Sequence, residues 1–177
     1  MYSKIKIAGH PIHPMLVAFP VAFYTAAVVC YIVYGANQNP FWFRVGVVAN
    51  GAGIVMAVVA ALPGFIDWLA IPAAKKAKRV GLNHMLCNVG ALLLFAINFF
   101  IQQPKWNEAQ PDSSPSVILT VIGLVLTVTA GFLGWSLIQN HHVGVSLTEE
   151  QQRLEPTDGV STDHDITQTA QHRHGLT

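Results

Sequence analysis

Apolar residues run along this chain in four long blocks that no charge interrupts: Lys6 to Arg44, Arg44 to Asp67, Arg79 to Lys105 and Asp112 to Glu149. Each gap can hold the ~20 consecutive apolar residues that a helix needs to cross about 30 Å of hydrocarbon. The pattern predicts four membrane spans, from about Pro14 to Ala36, Phe41 to Trp68, Leu82 to Ile101 and Ser116 to Gln139. Strict alternation of apolar and polar residues, the mark of a barrel strand, is missing. The expected fold class is therefore all-α, an integral-membrane four-helix up-down-up-down bundle over residues 14–140 that follows a short leading segment, residues 1–13.

Composition points the same way. Of 177 residues 52% are hydrophobic and 11% charged, with mean hydropathy +0.43, against roughly 25% charged in a soluble domain. The first apolar run is too long for a secretory signal peptide, and no small-residue cleavage site follows it. Lys4, Lys6, Lys75, Lys76, Lys78 and Arg79 fall on one side of the four spans and only Arg44 and Lys105 on the other, which places both termini in the cytoplasm. Trp68 and Trp135 are expected near the inner boundary, and Tyr34, Trp42 and Trp106 near the outer one, as amphipathic anchors. Residues 146–177 lack the apolar side chains that offset ordering entropy and read as a disordered polar tail. The tail's His164, His172 and His174 read as solvated rather than metal-binding. Cys30 and Cys87 differ in depth by roughly 20 Å, too far for a disulfide, and read as packing residues.

Two short matches suggest an internal repeat. The second span ends G-F-I-D-W (Gly64 to Trp68) and the fourth G-F-L-G-W (Gly131 to Trp135), while the first opens H-P-M-L from His13 and the third H-M-L from His84. Two parallel hairpins related by a pseudo-two-fold axis along the membrane normal would set His13 and His84 opposite each other, because spans one and three are diagonal in such a bundle.

The candidate chemistry lies in G-H-P-I-H-P, residues 9–14. A residue before proline is pushed toward extended backbone, so His10 and His13 are expected on one side of a stiff polyproline-like segment, with Pro14 in the first helical turn. Chain threading brings Asp67, His84, His141 and His142 to the same inner boundary. One interfacial histidine is ordinary, since its polar tip reaches water cheaply. His10, His13, His84 and His141 together suggest a ligand site, imidazole being a common metal ligand near neutral pH. Asp67 reads as a further ligand, a carboxylate that orients an imidazole, or a solvated helix end. Asn88, one turn after His84, reads as support for that ring or as a helix-to-helix hydrogen bond.

G-H-P-I-H-P with L-V-A-F-P, then L-P-G-F-I-D-W, L-N-H-M-L-C-N, and G-F-L-G-W with H-H-V-G-V, resembles the bacterial membrane proteins of the domain of unknown function 2231 family, over about residues 7–145. The resemblance implies a four-helix inner-membrane protein whose relatives sometimes accompany redox proteins. It carries the family pattern onto His10, Pro11, His13, Pro14, Asp67, His84 and His141. His142 stands where members often have glycine, which leaves open which of the two adjacent histidines would bind a ligand.

Three functions follow. The first is a haem b protein, with two axial histidines drawn from His13, His84 and His141, passing electrons between a quinone and a membrane redox partner. Gly51, Gly53, Gly90, Gly131 and Gly134 would open its slot or simply pack helices closely. Absence of C-x-x-C-H excludes covalent attachment. The second is a bare zinc, iron or copper centre held by His10, His13, Asp67, His84 and His141. The third is an adaptor, without cofactor, that docks a partner protein. Whether the chain is an enzyme stays open, although G-x-S-x-G and H-E-x-x-H are both missing. No nucleic-acid partner is expected, a homo-oligomer stays open, and a channel is disfavoured because the helix interiors show no line of polar residues.

Overall fold

A computed structural model describes residues 5–8, 10–72 and 75–144. Lys6–Ile7 (β1) pairs antiparallel with His10–Pro11 (β2), and Ile12–Leu16 forms a short helix, α1. The long helices are α2 (Ala18–Asn37), α3 (Pro40–Leu69), α4 (Lys76–Gln102) and α5 (Ser114–Gln139), with a 3-10 turn at Gln103–Lys105. All four are long and apolar enough to cross a membrane.

Local chemistry sets the boundaries. Pro20 has no N–H for the carbonyl of Leu16, so the first span breaks at Val17 into α1 and α2. Asn39 caps α3, its side chain accepting from the N–H of Phe41 at 3.0 Å. The third helix starts at Lys76 rather than at Leu82, because charges end an apolar stretch without ending a helix; Lys76, Lys78 and Arg79 occupy its first turns. Lys78 ties this start back to α3: its ammonium donates to the carbonyl of Trp68 at 2.6 Å and lies 3.7 Å from the indole centroid, while Trp68 Nε1 donates to the carbonyl of Lys78.

Helices α2 and α3 form one tightly packed hairpin and α4 and α5 the other; α2 with α5 and α3 with α4 make the thinner contacts between them. Helices α2 and α4 are thus diagonal and meet only through side chains that point to the axis. At mid-height the rings of Tyr24 and Phe95 lie parallel, 3.7 Å apart. Gly53 backs Tyr24 and Gly123 backs Phe95: a Cβ on either would come within 2.6 and 2.8 Å of the adjoining ring. The bundle axis therefore carries a four-layer sandwich of glycine backbone, ring, ring and glycine backbone.

This sandwich gives the register of the repeat. One shift carries Tyr24 to Phe95 and His13 to His84, and a shift one residue shorter carries Gly53 to Gly123 and Gly64 to Gly134. The sequence match of Gly64 with Gly131 is therefore off by almost one turn. Gly131 has nothing within 4 Å of a notional Cβ, and Trp135 is exposed whereas Trp68 is clasped. Similar short words in apolar helices do not reveal which face each glycine occupies.

The radial distribution of side chains is that of a protein in lipid. Phe100, Phe132, Ile118 and Leu62 are exposed on the outside, while Asn50, Asn98, Gln102, Ser116 and Thr120 are fully buried in the middle. Oily surface and polar interior suit hydrocarbon rather than water. These polar residues come from three helices, and no single stretch of sequence shows them as a group. Tyr34, in the last turn of α2, is buried and donates to the carbonyl of Pro111 at 2.8 Å. Cys30 and Cys87 are free thiols.

Candidate functional site

The leading segment is not polyproline. His10 lies in β2, exposed, with Nδ1 2.9 Å from the carbonyl of Ala8. His13 is the second residue of α1, and Pro14 the third, where its missing N–H would have had no helical partner. Helical backbone at His13 therefore turns it away from the side that an extended segment would share with His10.

His13 reaches across to α3, its Nδ1 2.8 Å from the carbonyl of Ala60; His84, in the third turn of α4, reaches α5, its Nδ1 2.8 Å from the carbonyl of Ala130. A carbonyl only accepts, so each Nδ1 carries a proton, and in the neutral ring each Nε2 presents a lone pair. Both rings can lie on helix backbone because the residue one turn beyond each acceptor is glycine. A Cβ on Gly64 would stand 2.6 Å from His13 Cε1, and one on Gly134 3.1 Å from His84 Cε1. The two imidazoles face each other with centroids 6.2 Å apart and planes perpendicular. Asn88 Nδ2 lies 3.1 Å from His84 Nε2, donating to it, and 3.0 Å from the carbonyl of His84. Val17 stands at the matching place in the first hairpin, so the pair is not equivalent in this respect.

The remaining candidates do not join them. Asp67 is half-buried near the end of α3, and His141 is half-buried just beyond α5. Among the described residues, no three His, Cys, Asp or Glu side chains form a group able to hold a metal ion. Of His10, His13, Asp67, His84 and His141, the ring contact joins His13 and His84. The tail, residues 146–177, with its three histidines, lies outside the described residues.

His142 takes φ +48, with its N–H donating to Ile138 and the N–H of Val143 donating to Leu137. This left-handed backbone after a helix end favours glycine. His142→Gly is expected to hold or raise thermal stability, by up to about 1 kcal/mol; a melting curve showing a loss would mark the imidazole itself as the working group.

Sequence reasoning missed the carbonyls of Ala60 and Ala130 and the part played by Gly134. The available signal was A-x-x-x-G, residues 60–64 and 130–134, at matching positions of both hairpins.

These features define a multi-pass helical membrane protein built of two like hairpins, with a histidine of each held ring to ring near one end. The chain belongs to the family described as "Predicted membrane protein (DUF2231)", whose model matches residues 9–147. No curated protein and no solved structure matches it.

Proposed function

We propose that His13 and His84 form a two-imidazole ligand site for a transition-metal ion in a redox component of the bacterial inner membrane, both termini cytoplasmic. One observation carries this reading: each imidazole has Nδ1 tied to a backbone carbonyl of its own hairpin and a partner ring 6.2 Å away. Metal-ligating histidines characteristically donate their other N–H in this way, which fixes the tautomer and the ring direction. Imidazole suits zinc, copper and iron, and two of them leave coordination positions for small ligands.

A bare ion is favoured over haem b. Of the five glycines that might have opened a slot for a macrocycle, four are filled by side chains, Phe99 at Gly51, Tyr24 at Gly53, Leu126 at Gly90 and His84 at Gly134, and Gly131 alone has nothing within 4 Å. A quinone or a membrane redox partner would exchange electrons with the ion.

The test is elemental analysis and an absorption spectrum of protein extracted from membranes. About one metal per chain without a Soret band is the expected result. A Soret band would replace the ion by haem, and neither metal nor pigment would leave the adaptor function. Asn88→Ala removes the donor that engages the lone pair of His84. Its expected effect is metal binding about five-fold tighter by titration, the worth of one competing hydrogen bond of ~1 kcal/mol; unchanged affinity would mean that Asn88 does not compete.

A further inference from the structure

The half of the core away from the histidines is unusually polar for membrane depth. Tyr31, Asn50, Asn98, Gln102 and Ser116 are all fully buried there, contributed by all four long helices, and Tyr24 sits at the inner limit of the group. Asn50 Nδ2 donates to the carbonyl of Phe95 at 3.1 Å. The hydroxyls of Tyr24 and Tyr31, the Asn50 oxygen, both polar atoms of the Asn98 and Gln102 amides, and the Ser116 hydroxyl have no hydrogen-bond partner among the described residues. The Tyr31 hydroxyl lies beside the amides of Asn98 and Asn50, yet not in aligned hydrogen-bonding geometry.

Orphaned groups at this density cannot simply be tolerated. Each costs ~1–3 kcal/mol, so the set would consume a large part of the net stability of an ordinary domain. Buried polar groups are satisfied by protein or by bound water almost without exception. The chemistry of the cluster narrows what satisfies it. None of the six residues carries a charge, which argues against an ion. The free groups include donors and acceptors, which calls for a molecule that does both. Packing sets the size: the Tyr31 ring is already 3.1 Å from a notional Cβ on Gly46, and Tyr24 and Phe95 stack at 3.7 Å.

We infer that this half of the bundle core is a water-binding site, in which a few bound waters bridge Tyr31, Asn50, Asn98, Gln102 and Ser116. The site ends at the Tyr24–Phe95 stack, because Phe95 offers no polar side-chain atom to continue it toward His13 and His84. At the far end Tyr34, donating to Pro111, forms its cover. The site stands on these residues alone and is independent of whether the histidine pair holds a metal.

The test uses the full chain in lipid vesicles with 15N-labelled Asn and Gln. Magnetisation transfer from water to the side-chain amides of Asn98 and Gln102 is expected in solid-state NMR, and those amide signals should fade on transfer to D2O. Asn98→Leu supplies a second readout of opposite sign for the two cases. If water bridges the amide to its neighbours, the variant melts lower, by about 3 °C or more. If the group is dry and unpaired, leucine relieves a penalty and the melting temperature rises. No water contact at either amide, or a rise in melting temperature, overturns the proposal.

Discussion

Gly53→Ala and Gly123→Ala are expected to destabilise the protein by about 1–3 kcal/mol each, the usual effect of forcing a methyl group into a filled core. The new Cβ would stand 2.6 Å from Tyr24 in one case and 2.8 Å from Phe95 in the other. Neither ring can retreat, since each is backed by the other at 3.7 Å and the second glycine lies behind that. Alanine improves helix propensity by ~1 kcal/mol, and the clash must exceed that gain for the net sign to be a loss. Gly131→Ala isolates the propensity term: nothing lies within 4 Å of its notional Cβ, so it should be neutral or stabilising. Thermal or denaturant unfolding in a single detergent checks all three. Equal behaviour of Gly53→Ala and Gly131→Ala would mean that the ring sandwich does not exist.

On the metal site proposed above, His13→Ala and His84→Ala should each abolish most metal retention, and the double variant should lose no more than either single one, because a site of two ligands fails when one is gone. Gly64→Ala makes the sharper case. It keeps both histidines, yet its methyl group would press on His13 Cε1 from 2.6 Å and lift the ring from the carbonyl of Ala60. Loss of such a supporting hydrogen bond commonly weakens metal binding 10- to 100-fold. Metal content after dialysis against a graded chelator reads the effect. Retention in Gly64→Ala equal to that of the unsubstituted protein would separate the ring's position from any ligand role.

Most of the fold was legible from charge spacing alone, since four uninterrupted apolar runs in lipid admit little but four helices. The convergence of His13 and His84 was legible too, because an even number of crossings separates them. What failed was direction. His10 sets its Nδ1 against the carbonyl of Ala8 in its own turn, while His13 turns with the helix at Ile12–Leu16 to reach Ala60. The repeat register failed for a related reason: Gly64 and Gly131 match as letters, whereas Gly64 and Gly134 match as surfaces on which an imidazole lies. Asn98 and Gln102 were hidden differently, since each looks like an isolated polar residue until α4 is placed against α2, α3 and α5.

The central claim is that two like hairpins bring one histidine from each into contact near one end of the bundle. A 13C correlation spectrum of histidine-labelled protein in lipid vesicles tests it most directly. A ring-to-ring cross-peak between His13 and His84, lost in either alanine variant, is the expected result at a centroid separation of 6.2 Å. Resolved signals from both rings with no cross-peak between them would contradict it.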